Sequence, residues 1–303
     1  MKYHILLHSI EQIKSLDCKS KLMFRPLSIE DIENNLTDDI SEADLIIIPS
    51  TAGNSCNNYL SSLSVDPKYY KKMVIYANDD NPGFLYNNST ISKFIAQPLT
   101  SSLSPYKNIT IIPLVMSDHS FINRSFIDKC RNRGKKFDFC FIGNMSYKNR
   151  SIIDIVSKLP ELKYYKFNII NSPGFYSIQD QELKIQHLKN YLLNLSQSRF
   201  VFAPRGEGSC SFRFYESMMV GSIPIEWGSV LLPKELNRNS YIKCNFDTID
   251  SLRCAIFEAV NIRNYQSRYI NYRQNGMNYW DNYCEPTKLN NYIKVKAYEN
   301  SLN

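Results

Sequence analysis

The sequence lacks several patterns that identify common classes of protein. Its eight cysteines form no CxxC pair and keep no regular spacing with histidine, which argues against a zinc site and favours reduced thiols. No apolar run approaches the length of a membrane span, and no signal-peptide pattern stands at the start, so we expect a cytoplasmic protein. Repeats and low-complexity tracts are absent, and only ten residues are glycine.

Positive charge is present but is not concentrated. The net charge is +7, yet the basic residues are scattered, with no basic helix and no recognisable nucleic-acid-binding module. We therefore expect no nucleic-acid partner. At 303 residues, with 43% apolar and 21% charged side chains, the chain suits two domains that each bury a core.

Strand-like runs alternate with helical patterns along the chain, which predicts an α/β fold with parallel sheets covered on both faces. The strands predicted in the first half are Tyr3–Leu7, Lys21–Phe24, Asp44–Pro49, Met73–Tyr76, Lys93–Ala96 and Ile109–Pro113, with a helix at Ser55–Ser62. The elements predicted in the second half are strands at Phe137–Ile142, Tyr164–Ile169, Phe200–Ala203 and Ser222–Glu226, and helices from Arg150 and over 181–194, Phe212–Val220 and 249–263.

We place two domains at residues 1–125 and 126–303, with the crossover between Asp118 and Gly134. The tyrosine-rich helical tail at 265–298 either crosses back to the first domain or makes a peripheral contact with a membrane. The sequence does not indicate an oligomeric state.

The segment 198–233 runs from strand to polar turn, helix and second strand without interruption. Arg205 and Arg213, with Gly206 between them, could surround a diphosphate with positive charge and with backbone N–H donors at a helix N-terminus. Glu216 follows one turn after Arg213 and would face the same site. A turn of this kind is also common in α/β proteins without a ligand, so these residues alone leave both interpretations open.

The string PRGEG…SFRFYESMMVGSIPIEW resembles the signature of the exostosin family of glycosyltransferases. That signature is a P-[RS]-G turn, then S-x-R-x-x-E/D, then a small residue followed by G-x-I-P-V/I. Fainter similarity appears in EADLIIIPS at 42–50, KKMVIYANDDNPG at 71–83, ITIIPLVMSD at 109–118 and KFDFCFIGNMSYKNRSIIDIV at 136–156. The resemblance implies two Rossmann-like domains facing a cleft, the GT-B architecture.

The resemblance also implies an activity, which is inverting transfer of a sugar from a nucleoside diphosphate sugar, most simply a UDP-sugar, to a hydroxyl of an oligosaccharide or polysaccharide. The residues it assigns to the donor phosphates are Arg150, Arg205, Ser211 and Arg213, and it assigns Glu216 to the ribose or the donor sugar. From the residues themselves, Gly143 and Asn144 close a strand just before the helix of Arg150, so this second turn could meet the first around one pyrophosphate. A helix-surface charge is the alternative for Arg150.

A base must take the proton of the acceptor hydroxyl. Asp79 and Asp80 follow the strand Met73–Tyr76, and α/β clefts open at the carboxyl ends of parallel strands, so Asp80 is our first candidate and Asp79 the second. The alternative is that both acids form an Asx turn. His8 and His119 are weaker candidates. No D-x-D triplet follows a strand, so we expect no metal and no cofactor beyond the nucleotide-sugar co-substrate.

Three other functions remain open from the sequence. One is a phosphate-binding regulator or a nucleic-acid-binding protein, which would bind polyanions in a salt-sensitive way without preference for a sugar nucleotide. A fucosyltransferase that uses GDP-fucose would share the string G-S-I-P-I-x-W-G, although its usual Y-x-T-E-K context is missing here. A non-catalytic protein that binds sugar nucleotides or glycans would keep the fold and lose the chemistry. The presence of Arg205, Arg213 and Glu216 counts against the non-catalytic alternative.

Overall fold

The computed structural model describes residues 1–5, 34–48, 65–77, 92–95, 109–114, 121–172, 178–205, 210–227, 231–245 and 247–302. The chain divides into two compact units. The first unit comprises Met1–Ser117, Val230–Pro233 and Asn282–Asn303, and the second comprises Asp118–Ser229 and Lys234–Asp281. The predicted strand Lys21–Phe24 and the predicted helix Ser55–Ser62 lie outside the described residues.

Among the described residues, the first unit contains a five-stranded sheet in which every neighbouring pair is parallel. Its strands, in spatial and chain order, are β1 Tyr3–Ile5, β2 Leu45–Ile48, β3 Met73–Ala77, β4 Ser92–Ile95 and β5 Ile109–Ile111. Strand β2 reads Leu-Ile-Ile-Ile and is buried throughout, as expected for a parallel strand covered on both faces. The 3₁₀ helix Pro67–Lys72 leads into β3, and the C-terminal helix Pro286–Leu302 packs against that 3₁₀ helix and against β4.

The second unit contains another all-parallel five-stranded sheet, in the order β10-β9-β8-β6-β7. Its strands are β6 Phe137–Gly143, β7 Phe167–Asn171, β8 Ser198–Pro204, β9 Ile223–Trp227 and β10 Ile242–Cys244. Its helices are α1 Arg124–Arg131, α2 Lys148–Ser157, α3 Gln181–Ser196, α4 Phe212–Met219, α5 Ile249–Asn264 and α6 Gln266–Tyr279. Since all five strands are parallel, their carboxyl ends meet at one edge of the sheet.

Aromatic residues form the core on one face of this sheet. The ring of Phe139 stacks against those of Phe167, Phe200 and Phe202 at centroid distances of 5.0, 5.6 and 5.7 Å. Residues of α2 and α5 complete the same buried cluster. Alternate residues of the strands point to the opposite face, where α3 and α4 pack.

The α/β prediction with parallel sheets is confirmed in both units. Gly221 follows α4 with φ of +71°, a backbone conformation that favours glycine and ends the helix. The predicted strand Tyr164–Ile169 is placed too early: the structure has Phe167–Asn171, because the backbone N–H of Tyr165 closes a turn onto Leu162. No helix within the described residues is long and apolar enough to span a membrane.

Candidate functional site

Arg213 lies at the carboxyl edge of the second sheet, where α4 begins. Its Nη2 atom donates to the carbonyl oxygen of Ile142 at 2.7 Å, and its guanidinium lies 4.6 Å from the ring centroid of Phe141. A Cβ atom on Gly143 would come within 2.7 Å of the same Nη2. Glycine at the end of β6 therefore leaves the space into which the guanidinium fits.

Arg150, in the first turn of α2, is held beside Arg213. Its Nη1 atom donates to the carbonyl oxygen of Asn144 at 3.0 Å, and its guanidinium packs on the ring of Tyr147 at 4.4 Å. Burial, and then the charge of Arg213, lower the pKa of Arg150. The Nε atoms of both arginines are buried, and neither has a hydrogen-bond partner among the described residues.

Two half-buried cations that repel each other are unfavourable unless an anion compensates them. The arrangement of Arg150 and Arg213 therefore suits the binding of a doubly charged anion such as a diphosphate. It is more consistent with the donor-phosphate interpretation of Arg150 than with a solvated charge on the helix surface, since the guanidinium is half-buried and bonded to the strand-end turn.

Two helices begin at this edge without side-chain caps. The side chains of the N-cap residues of α2 and α4, Tyr147 and Ser211, make no capping hydrogen bond. The same is true of α6, whereas side chains cap α1, α3 and α5. Helix N-termini carry unsatisfied N–H groups and a partial positive charge that favour anions. The uncapped starts of α2 and α4 add to the positive potential that the two arginines create.

The two strand-end turns are in contact. The side-chain amide of Asn149 in α2 donates to the carbonyl oxygen of Arg205, at 3.2 Å, which links the turn after β6 to the turn after β8. The Arg205 side chain, 47% exposed, forms an ion pair with Asp247 at 3.5 Å. The backbone of Arg205 is therefore linked to the first turn of α2, which carries Arg150. Its guanidinium instead pairs with Asp247.

Glu216 lies one turn after Arg213 and is 6% exposed. Its Oε2 atom accepts a hydrogen bond of 2.6 Å from the hydroxyl of Tyr191 on α3. Burial raises the pKa of Glu216, and the Tyr191 hydrogen bond and the Arg213 charge oppose that rise. Contact of Glu216 with a ribose or a donor sugar stays a prediction, and Tyr191 is a partner that the sequence did not indicate.

A second acid, Glu226 on β9, was also missed by sequence reasoning. It is 4% exposed, and its Oε2 atom has no hydrogen-bond partner among the described residues. Burial is the main cause that raises the pKa of Glu226 to about 8. The sequence does give a signal for this residue, which is a charged side chain inside the apolar strand IPIEW at the end of the exostosin-like string.

The remaining predicted residues are placed as follows. Ser211 caps α4 through its backbone and makes a long contact of 3.5 Å from its Oγ atom to Nη1 of Arg213. Asp79, Asp80, Gly206, His8 and His119 lie outside the described residues. Within the part of the chain that the structure describes, no group of three or more His, Cys, Asp or Glu could hold a metal ion.

The sequence matches no protein-family model and no curated protein sequence. Solved structures that resemble this chain include a glycosyltransferase from Rickettsia africae, with 11% identity and a TM-score of 0.48 over 87% of this chain and 78% of that one. The pneumococcal O-GlcNAc transferase GtfA, in complex with UDP and GlcNAc, has 11% identity and a TM-score of 0.45 over 84% of this chain and 56% of that one. Anabaena HepE, in complex with UDP and glucose, has 12% identity and a TM-score of 0.43 over 84% and 77% of the two chains.

The chain spans less than two-thirds of the length of GtfA and of TarM, another of these structures. At TM-scores of 0.43 to 0.48 the likeness carries no argument about activity. A functional proposal must therefore rest on the residues at the edge of the second sheet and on the sequence signature.

Proposed function

We propose that this chain is a glycosyltransferase that binds a nucleoside diphosphate sugar at the carboxyl edge of the second sheet. The observation that carries the proposal is the pair Arg150 and Arg213, which β6 and the starts of α2 and α4 hold side by side with unpartnered Nε atoms. Loss of the diphosphate leaving group places growing negative charge on the phosphate oxygens. Arginines and helix N-termini fixed in advance stabilise that charge more in the transition state than in the ground state.

The signature residues support the same proposal. The exostosin-like string contains Arg213 and Glu216, which the resemblance assigns to the donor side, and Gly143 at the end of β6 leaves the space that the Arg213 guanidinium fills. Membership of the exostosin family is part of the proposal. So is the choice of a UDP-sugar, with a hydroxyl of an oligosaccharide or polysaccharide as acceptor.

We assign the reaction to an inverting single displacement. A carboxylate, Asp80 or Asp79, takes the proton of the acceptor hydroxyl as its oxygen attacks the anomeric carbon. The bond from that carbon to the diphosphate oxygen breaks, and its electron pair leaves with the diphosphate. Both acids follow within three residues of Ala77, the last residue of β3, at the carboxyl end of a parallel strand.

Isothermal titration of the purified chain with UDP, GDP and CMP tests the donor class, and Arg213→Ala tests the site. Arg268, an exposed arginine on α6, provides the matched control Arg268→Ala. We expect UDP to bind the unmodified chain and the control alike. Arg213→Ala should weaken UDP binding by about tenfold or more, because a charge-assisted hydrogen bond to a phosphate is lost.

Tight binding of UDP to Arg213→Ala would refute the site, and preference for GDP would favour the fucosyltransferase alternative. Release of UDP from a UDP-sugar in the presence of glycan acceptors then separates a transferase from a binding protein. If the chain binds the UDP-sugar but releases no UDP, either with an acceptor or by slow hydrolysis without one, the non-catalytic alternative is favoured.

A further inference from the structure

The end of β9 holds two buried polar atoms that lack partners among the described residues. Glu226 and Trp227, 4% and 1% exposed, occupy the last two positions of this strand. The Oε2 atom of Glu226 and the Nε1 atom of Trp227 have no hydrogen-bond partner in the part of the chain that the structure describes. Since about nine in ten buried polar groups in proteins are hydrogen-bonded, a carboxyl left open at a strand end is a candidate contact for a ligand.

The surroundings of Glu226 leave the carboxyl protonated at neutral pH. The charged and titratable groups that face it come from four places: Cys210 before α4, Arg238 and Tyr241 before β10, Lys243 on β10, and Asp247 after β10. Burial is the largest influence and raises the pKa of Glu226 to about 8, while Lys243 and Arg238 oppose that rise. A protonated carboxyl offers one O–H donor beside one acceptor oxygen.

The strand order places Glu226 beside the proposed diphosphate site. Arg213 contacts the end of β6, and β8 and β9 are the next two strands of the sheet. Neighbouring strands lie about 4.8 Å apart, so the end of β9 is about 10 Å from the end of β6. Ligands of parallel α/β sheets lie along the carboxyl ends of the strands. A nucleoside attached to the diphosphate can span this distance.

On the other side of the site, the described residues up to Ser172 offer no comparable unpartnered carboxyl. There β7 borders β6, and the amide oxygen of Asn171 at its end accepts from the backbone N–H of Met145 at 3.1 Å. The hydroxyl of Ser172 lies 3.4 Å from the Nε2 atom of His187. Polar side chains at the end of β7 are therefore engaged within the protein, whereas Glu226 at the end of β9 is open.

Building on the proposed function, we propose that Glu226 binds the polar edge of the donor's nucleobase, accepting from a ring N–H and donating to the adjacent acceptor. Uracil presents this pair of groups as N3–H and O4. Ionisation of the carboxyl removes its O–H donor, and the resulting carboxylate repels the partly negative O4 atom. The affinity for the nucleotide should therefore fall as the pH rises through the titration of Glu226.

Two variants and three probes test this proposal by isothermal titration. Glu226→Leu removes both hydrogen bonds, whereas Glu226→Gln keeps one donor and one acceptor and cannot ionise. The probes are UDP, inorganic pyrophosphate and UDP-glucose. We expect Glu226→Leu to weaken UDP binding by about tenfold and to leave pyrophosphate binding unchanged. From about pH 6.5 to about pH 8.5, the affinity of the unmodified chain for UDP should fall about fourfold, and that of Glu226→Gln should stay constant.

Each other outcome overturns the proposal in a recognisable way. Equal loss of UDP and pyrophosphate in Glu226→Leu would place the residue at the phosphates. Loss of UDP-glucose binding with normal UDP binding would place it at the sugar. If UDP binds both variants as it binds the unmodified chain, this proposal fails while the proposed function stands. If neither UDP nor GDP binds the unmodified chain, the proposed function fails as well.

Discussion

The buried carboxyl of Glu226 makes the stability of the second unit depend on pH in a direction that can be calculated. Burial raises the pKa of Glu226 from its ordinary value of 4.5 to about 8. Between these two values the folded protein keeps a proton that the unfolded chain releases. Rising pH therefore favours unfolding across this range. The stability that is present below about pH 4.5 is lost progressively until the pH reaches about 8.

The change Glu226→Gln removes this dependence while keeping a side chain of the same size. Each pH unit in the range is worth 1.36 kcal/mol, so from about pH 5 to about pH 8.5 the unmodified chain should lose about 4 kcal/mol that the variant keeps. Relative to that of the unmodified chain, the free energy of unfolding of Glu226→Gln should therefore increase by about 4 kcal/mol over this pH range.

Urea unfolding followed by tryptophan fluorescence measures this difference. Both tryptophans of the chain, Trp227 and Trp280, belong to the second unit, so their fluorescence reports the unit that contains Glu226. The control is Glu182→Gln, which changes an exposed acid in the first turn of α3. Parallel stability profiles of the unmodified chain and Glu226→Gln over this pH range would refute the argument that Glu226 is held neutral by burial.

Three further changes probe the site. Gly143→Ala should displace the Arg213 guanidinium, since the added Cβ would approach its Nη2 atom to 2.7 Å, and UDP affinity measured by titration should fall about tenfold. Tyr191→Phe should lower the free energy of unfolding by about 1–3 kcal/mol in a urea titration, because the buried Glu216 loses a donor; an unchanged value would contradict the role of that bond. Asp80→Asn should keep UDP affinity and lose transfer in a UDP-release assay that EDTA does not inhibit, and full turnover would move the base to Asp79 or to a histidine.

The α/β architecture could be predicted from the sequence because each strand is marked by a local pattern of residues. Long apolar runs such as those of β2 and β8, separated by polar turns, predict buried parallel strands wherever they are embedded. Shorter elements were missed. Strand β10, Ile242–Cys244, has only three residues, which is too short for an alternating pattern to stand out. Helix α1 is amphipathic, with Ile127 and Cys130 buried, but it lies in the segment that we assigned to the domain crossover.

The site was only partly accessible for a different reason. Arg150 and Arg213 could be assigned to strand-end turns, and parallel strands bring such turns together without further information. The partners of a side chain across the fold depend on packing. No pattern near Glu216 points to Tyr191 on α3, and the open carboxyl of Glu226 is recognisable only once its burial and the absence of a described partner are known.

The path of the chain has a consequence for the order in which the units can fold. The first unit includes both Met1–Ser117 and Asn282–Asn303, and the C-terminal helix contributes the fully buried Leu289, Ile293 and Ala297. Along the chain, the second unit therefore lies between Ser117 and Asn282 of the first, interrupted only by Val230–Pro233. During synthesis, the last residue of the second unit is made before the C-terminal helix of the first unit. Until that helix is made, the five described strands of the first unit keep apolar surface exposed. A fragment that stops near residue 281 should retain the second unit and leave the first prone to aggregation.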